Sequence, residues 1–194
     1  MGEVTPISVL FVCMGNHCRS PAAHAVAQKV AWETGHVNLA FDSAGTTGHH
    51  RGDHPHPLAT AEGARRGYRV NHLGRLIHPD DFVRFDLIVA MDSSNVDDLR
   101  RLGGSIDQRT GFYRNVEPEQ LQLLRRWDPY GMPGDEDVAD PWGKGPEAYR
   151  EMNVQTSGAF GGLGIVISIR DQQLTVMRPM PGTRTSEATS CASI

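Results

Sequence analysis

The stretch Ser8 to Ser20, Ser-Val-Leu-Phe-Val-Cys-Met-Gly-Asn-His-Cys-Arg-Ser, constrains this chain more than any other. Val9 to Val12, with Ile7 just before them, form the short apolar run of a strand buried on both faces. Ser20 and Pro21 then read as an N-cap and first helical position, and Ala22, Ala23, Ala25, Val26 and Ala27 carry a helix to about Thr34. Cys13 to Arg19 therefore bridges a strand's carboxyl end and a helix N-terminus. Ligands of open α/β sheets bind at that edge, where unpaired N–H groups and a positive dipole end favour an anion. Met14, Gly15, Asn16, His17 and Cys18 make up the loop: Gly15 admits close approach of a ligand and Asn16 tolerates left-handed backbone, so successive amides can form a phosphate-sized nest. Arg19, six residues after Cys13, can grip two phosphate oxygens with its planar fork while its charge favours the nucleophilic thiolate of Cys13.

Val12-Cys13-Met14-Gly15-Asn16-His17-Cys18-Arg19-Ser20-Pro21 resembles the signature of the low-molecular-weight protein tyrosine phosphatases. Asp42 to Thr46, His72, Phe85 to Asn95 and Asp140-Pro141 match in order, so the resemblance covers residues 6–152. It implies a catalytic trio of Cys13 as nucleophile, Arg19 as phosphate clamp and Asp140 as general acid and base. It also implies a hydrogen-bond network of Asn16, Ser43 and His72 that holds the loop, with Asp92 in support and Ser20 near the leaving sulfur. The substrate would be a tyrosine-phosphorylated protein, and no cofactor or metal is expected.

Displacing phosphate from an aryl ester requires a proton for the leaving phenolate and later a base to direct water, and one carboxylate serves both steps. Two Asp-Pro pairs offer it. Asp140 is preferred because Pro141 and Trp142 follow it as an aromatic residue follows the acid in the family, and Asp128 is the second choice. Trp142 would wall the cleft against a flat phenyl ring. His49 and His50, in the loop Thr47 to Pro57, form the other wall; that loop's histidines lack metal-ligand spacing and are expected to face substrate or solvent. Where the family often carries an aromatic residue, this chain has His49. At the loop position of His17, arginine phosphatases of this fold carry Thr and tyrosine-directed members an aliphatic residue, so an arginine phosphatase stays open as an alternative. Arsenate reductases on this fold need further cysteines downstream, and none lies between Cys18 and Cys191. Cys18, five residues from Cys13, could trap an oxidised Cys13 as a disulfide or simply fill the loop.

Strands at Val37 to Ala44 and Phe85 to Met91, helices at Pro57 to Gly67 and Ser93 to Leu102, and a fourth strand at Gln120 to Trp127 predict alternating βα units. Tyr68 to Ile77 reads as irregular and Ser105 to Glu117 as an exposed loop. The expected fold is an open three-layer α/β sandwich, with a four-stranded parallel sheet in the order 2-1-3-4 and helices on both faces. The domain would end near residue 152: a last helix begins at Pro146, and Gly158, Gly161, Gly162 and Gly164 read as its interruption from Asn153 onward. Residues 153–194 would be an appendage, with a hairpin at about 163–178 and a disordered tail from Thr183. Gly161 to Thr183 resembles the opening of a PDZ domain of carboxyl-terminal processing peptidases. A truncated last helix would leave apolar sheet exposed and motivates a second alternative, a catalytically weak phosphoprotein-binding module.

Nineteen basic against 23 acidic residues give a formal charge of −4, so no global field draws nucleic acid or anionic membrane. The apolar runs are too short to cross a bilayer, and three cysteines, two of them in one loop, make no disulfide framework. A cytoplasmic protein is expected. The sequence leaves the oligomeric state open.

Overall fold

The computed structural model describes residues 6–36, 38–104 and 119–161, together with the backbone of 167–170 and 173–176. Strand β1, Ile7–Cys13, is the sheet's centre. It pairs in parallel with β2, Leu39–Gly45, on one side and with β3, Leu87–Ala90, on the other; β4, Leu121–Leu123, adds to β3. The order β2-β1-β3-β4 is the expected one. Parallel pairing forces long crossovers, which here are α1, Arg19–Glu33, then α2, Pro57–Arg65, α3, Asp81–Arg84, and α4, Ser93–Gly103.

Side chains alternate across β1 and β3 with period two and so build two cores. Val9, Phe11, Leu87 and Val89 face a cluster with Ala23, Val26 and Ala27 of α1 and Tyr149, Met152, Ala159 and Phe160 of the last helix, α5, Pro146–Gly161. Leu10, Val12, Ile88 and Ala90 face Phe82 of α3 and Leu99 of α4. Helices therefore cover both faces. Among the described residues, no helix is long and apolar enough to cross a membrane.

Three expectations need correction. Helix α5 runs without a break from Pro146 to Gly161, through the boundary expected at residues 152 and 153. Tyr149, Met152, Asn153, Thr156, Ala159 and Phe160 are buried at helical spacing, and that face outweighs the weak propensity of Gly158. The fourth strand is only Leu121–Leu123, and Leu124–Trp127 turns into a 3₁₀ helix. Arg125 Nε meets Asp128 at 3.3 Å and its Nη2 meets Asp135 at 3.1 Å, which ties the chain back where a strand would have carried it outward. Ser20 is not the N-cap of α1: Cys18 holds that position, and Ser20 lies in the first turn.

Beyond α5, β5, Ile167–Arg170, pairs antiparallel with β6, Gln173–Val176, as the expected hairpin does. The rest of the PDZ-like stretch, the loop Ser105 to Glu117 and the tail from Thr183 lie outside the described residues.

Phe160 is buried and meets Phe11 of the central strand edge to face, with ring centres 5.8 Å apart. Phe160→Ala should lower stability by about 3–5 kcal/mol in denaturant unfolding. A loss below about 1 kcal/mol would show that the last turns of α5 contribute little.

Candidate active site

Cys13 ends β1 at the sheet's carboxyl edge, and the chain turns through Met14 to Cys18 into α1. The turn is sharp because Asn16 takes the left-handed region, at φ 51°. Its side chain makes the conformation tenable: Nδ2 donates to Ser20 Oγ and to Ser43 Oγ, each at 2.9 Å, and Oδ1 accepts from the Arg75 amide at 2.9 Å. Ser20 Oγ in turn lies 3.1 Å from Cys13 Sγ. Ser43 Oγ meets His72 Nδ1 at 3.2 Å, and the opposite ring nitrogen of His72 meets Asp42 at 2.7 Å. The expected network of Asn16, Ser43 and His72 is thus assembled in space, with Asp42 and Arg75 added to it.

The loop's outer wall is fitted just as closely. Thr46 and Thr47 amides donate to the Cys13 and Met14 carbonyls at 2.9 Å, and the His56 amide donates to the His17 carbonyl at 2.8 Å. Gly45 and Gly74 make this possible: a Cβ on Gly45 would come within 2.7 Å of the Met14 oxygen, and one on Gly74 within 2.1 Å of the His50 oxygen.

Arg19 is buried, with 4% of its side chain exposed. Its guanidinium pairs with Asp92 through Nη1 and with Asp140 through Nη2, the latter at 2.7 Å. Asp92 is anchored on its own account, because it caps α4 through the Asn95 amide and accepts from the Ser94 hydroxyl, both at 2.7 Å. Burial opposes its ionisation, yet those hydrogen bonds and the Arg19 charge outweigh burial and hold its carboxyl below the usual range. The acid segment is stapled in place. Asp137 accepts from the Ser93 amide and hydroxyl at 2.8 and 3.0 Å, the Val138 amide donates to Met91 at 2.7 Å, and Gln155 of α5 accepts from the Ala139 amide at 2.9 Å.

Cys13, Met14, Gly15, His17, Cys18, Arg19, His49, His50, Asp140 and Trp142 line one pocket of about 290 Å³. Nucleophile, clamp and acid candidate thus share a single cavity with both expected walls. Asp128, the second choice for the acid, is buried against Arg125 and the Tyr130 amide and does not line it. The imidazoles of His17 and His50 stack at 3.9 Å with 9° between planes, and Trp142 stands across both at 5.5 and 5.1 Å. Burial, followed by the neighbouring His50 and His56, pushes the His17 pKa down, so His17 offers a neutral aromatic ring at neutral pH. The Cys18 thiol lies 3.8 Å from the Tyr149 hydroxyl, and burial lifts its pKa to about 12. Cys13 and Cys18 are both free thiols.

Some contributors escaped the sequence reading. Tyr149 and Gln155 lie on α5, and their 3.6-residue spacing from Met152 and Ala159 was the available signal. His56 stacks on Tyr149 at 4.8 Å and also caps α2 at 3.2 Å, a role that the His-rich loop did not single out. Arg75 meets Asp42, and Asp137 meets Ser93, across 33 and 44 residues of chain, contacts that no local spacing signals.

The model of the family described as low molecular weight phosphotyrosine protein phosphatase matches residues 8–163. A low molecular weight protein-tyrosine-phosphatase of Streptomyces coelicolor is 36% identical over 165 residues, which is 84% of this chain and 94% of that protein. Among solved structures, a protein tyrosine phosphatase of Entamoeba histolytica, with Hepes in its active site, aligns at a TM-score of 0.67 and 30% identity over 79% of this chain and 91% of its own. The Drosophila arginine phosphatase aligns at 0.69 and 31% over 78% and 91%. Sequence, sheet order and the joint setting of Cys13 and Arg19 agree, and the chain belongs to the low molecular weight phosphotyrosine protein phosphatase family.

Proposed function

We propose that this chain hydrolyses phosphotyrosine in proteins through a cysteinyl-phosphate intermediate. The observation that carries this is the single pocket in which Cys13, Arg19 and Asp140 meet at the mouth of a helix N-terminus. Phosphate enters the loop and takes Nη2 of Arg19 from Asp140. Cys13 Sγ attacks phosphorus as the phenolate leaves, and Asp140 supplies the phenolate's proton. Asp140, now ionised, takes a proton from water as it attacks the phosphocysteine, and inorganic phosphate and the thiolate are released. Loop amides and Arg19 stabilise the equatorial oxygens throughout. Ser20 Oγ accepts from Asn16, and its own hydrogen can turn from the Ala44 carbonyl, 3.3 Å away, to the departing sulfur.

The aromatic wall of His17, His50 and Trp142 suits a flat phenyl ring. An arginine phosphatase is the second possibility, favoured by the likeness to the Drosophila enzyme and by His17, which is neither Thr nor aliphatic. A binding module without turnover loses its motive with α5 whole. We place the catalytic unit's end at the close of α5, with 162–194 as an appendage. Three cysteines without a disulfide framework suit a cytoplasmic setting.

Turnover of an aryl phosphate in the presence of chelator should be abolished by Cys13→Ser and slowed about 10²- to 10⁴-fold by Asp140→Asn. Full activity in the Cys13→Ser protein, or none in a folded wild type, would sink the mechanism. A phosphotyrosine peptide should also turn over faster than a phosphoarginine peptide, and the reverse order would install the second possibility.

Trp142 is 54% exposed and free to cover substrate. Trp142→Ala should raise KM for aryl phosphates roughly tenfold, the value of about 1.4 kcal/mol of lost ring contact, and leave kcat within about twofold. An unchanged KM would remove Trp142 from the substrate wall.

Ser43→Ala strips a partner from Asn16 and from His72 at once. Unfolding free energy should fall by about 1–3 kcal/mol. The kcat should fall too, because the loop is less well held. Unchanged stability and kcat together would show that Ser43 does not brace the loop.

A further inference from the structure

Apart from the residues that line the pocket of Cys13 and Arg19 lies a second group of metal-competent side chains. Ligand atoms of His24, Asp42 and His72 all lie within 4.8 Å of one another. His24 projects from α1, Asp42 from β2 and His72 from the segment that follows α2, so packing of the fold itself brings them together. His24 is only 8% exposed, and neither of its ring nitrogens has a hydrogen-bond partner among the described residues. A buried imidazole left without any partner sacrifices one or two hydrogen bonds, a cost that a bound ligand would remove. A pocket of about 80 Å³ leads to it, lined by Pro21, Gln28 and Asn71 as well as His24 and His72.

The geometry suits a cation better than it suits an imidazole pair alone. Two histidines bound about 2.0–2.1 Å from one tetrahedral zinc set their ring centres about 5 Å apart, with the ring planes inclined. The rings of His24 and His72 are 5.2 Å apart at 59°. Asp42 completes the set: Arg75 occupies its Oδ2, while Oδ1 accepts from the Ser43 amide at 2.8 Å and lies 2.7 Å from His72 Nε2, a contact that opens when both atoms take an ion. The other candidate group, His17, His50 and Asp53, fails on the same test. Its imidazoles are stacked nearly parallel, so no ion can lie in both ring planes.

We propose that His24, His72 and Asp42 form a site for one divalent transition cation of the zinc class, separate from the catalytic pocket. The two imidazoles and one carboxylate leave a fourth position for water, which the adjoining pocket can hold. Arg69 also lines that pocket and weakens the site by its charge. Filling the site has a consequence for the loop. With Nε2 of His72 on the metal, the ring proton sits on Nδ1 and donates to Ser43 Oγ, which already accepts from Asn16 Nδ2. Ser43 then serves as acceptor to both, and its own hydrogen must turn elsewhere. The cation therefore acts on the same network that holds the nucleophile's loop.

The test uses the full chain carrying Cys13→Ser, freed of metal by chelator and titrated with zinc by calorimetry, so that neither turnover nor the active-site thiolate enters the readout. One zinc per chain should bind. His24→Gln, added to this background, should weaken binding roughly tenfold or more, and His72→Gln should do the same, whereas His50→Gln should not. Either variant decides the matter if the other fails to fold. Cobalt in place of zinc should give tetrahedral visible bands without thiolate charge-transfer absorption. Absence of saturable zinc binding, binding indifferent to both His24→Gln and His72→Gln, loss on His50→Gln, or a cobalt–thiolate band would each overturn the site.

Discussion

Asn16 is where the active site is made or lost. A non-glycine residue at φ 51° is held against its own preference, and such a conformation persists only when surrounding contacts over-determine it. Three hydrogen bonds from one amide group do so here, reaching Ser20, Ser43 and the backbone of Arg75. Two of those partners lie 27 and 59 residues further along the chain. The loop cannot close to its phosphate-sized form until β2 has paired with β1 and the segment after α2 has docked. Local sequence supplies the nucleophile and its clamp, but only the completed sheet supplies the tension that shapes the loop around an anion.

A second constraint is electrostatic. Arg19 carries one positive charge into a buried place and meets two carboxylates there, so one of them must yield when a phosphate arrives. Exposure and anchoring decide which. Asp92 is 16% exposed and tied down as the cap of α4, whereas the Asp140 side chain is 46% exposed and holds Arg19 through one oxygen. Asp140 is therefore the less firmly held of the two. In the proposed mechanism its release is useful, because it takes the carboxyl group off the guanidinium and brings it within reach of the leaving oxygen. In that mechanism the carboxylate that pairs with Arg19 at rest and the group that handles the proton are one residue, Asp140.

The sequence made β1, the Cys13–Arg19 spacing and the sheet order legible because each rests on a local pattern: an apolar run, a helix start, alternating units. Asp140 stood out as the acid candidate only through the Pro141-Trp142 pair and the family resemblance, since Asp128 offers the same dipeptide. What could not be read was decided by distant partners. Arg125 looked like an awkward strand residue until Asp128 and Asp135 claimed it. The stretch from Asn153 read as a break of the last helix because of its glycines, yet Asn153 Nδ2 bonds the Tyr149 carbonyl and Ser157 Oγ the Asn153 carbonyl, so the polar side chains there are absorbed within the helix. The His24–His72 approach joins residues 48 positions apart in number, a contact that no spacing rule anticipates.

Helix α5 is the element whose mistaken reading mattered most, because it does more than cover the sheet. Phe160 packs on the strand that carries the nucleophile, Tyr149 reaches Cys18 in the phosphate loop and stacks on His56, and Gln155 fixes the backbone next to Asp140. One rigid rod thus touches the strand, the loop, the wall and the acid segment. Rigid elements hold a site more tightly than loops do, and the distance between sulfur and acid must be kept within a few tenths of an ångström for catalysis. A chain that ended this helix near Asn153 would keep Tyr149 at the loop but lose Gln155 and Phe160, freeing the acid segment and the core beneath it. The continuity of α5 is what makes Cys13 and Asp140, 127 residues apart, parts of one pocket.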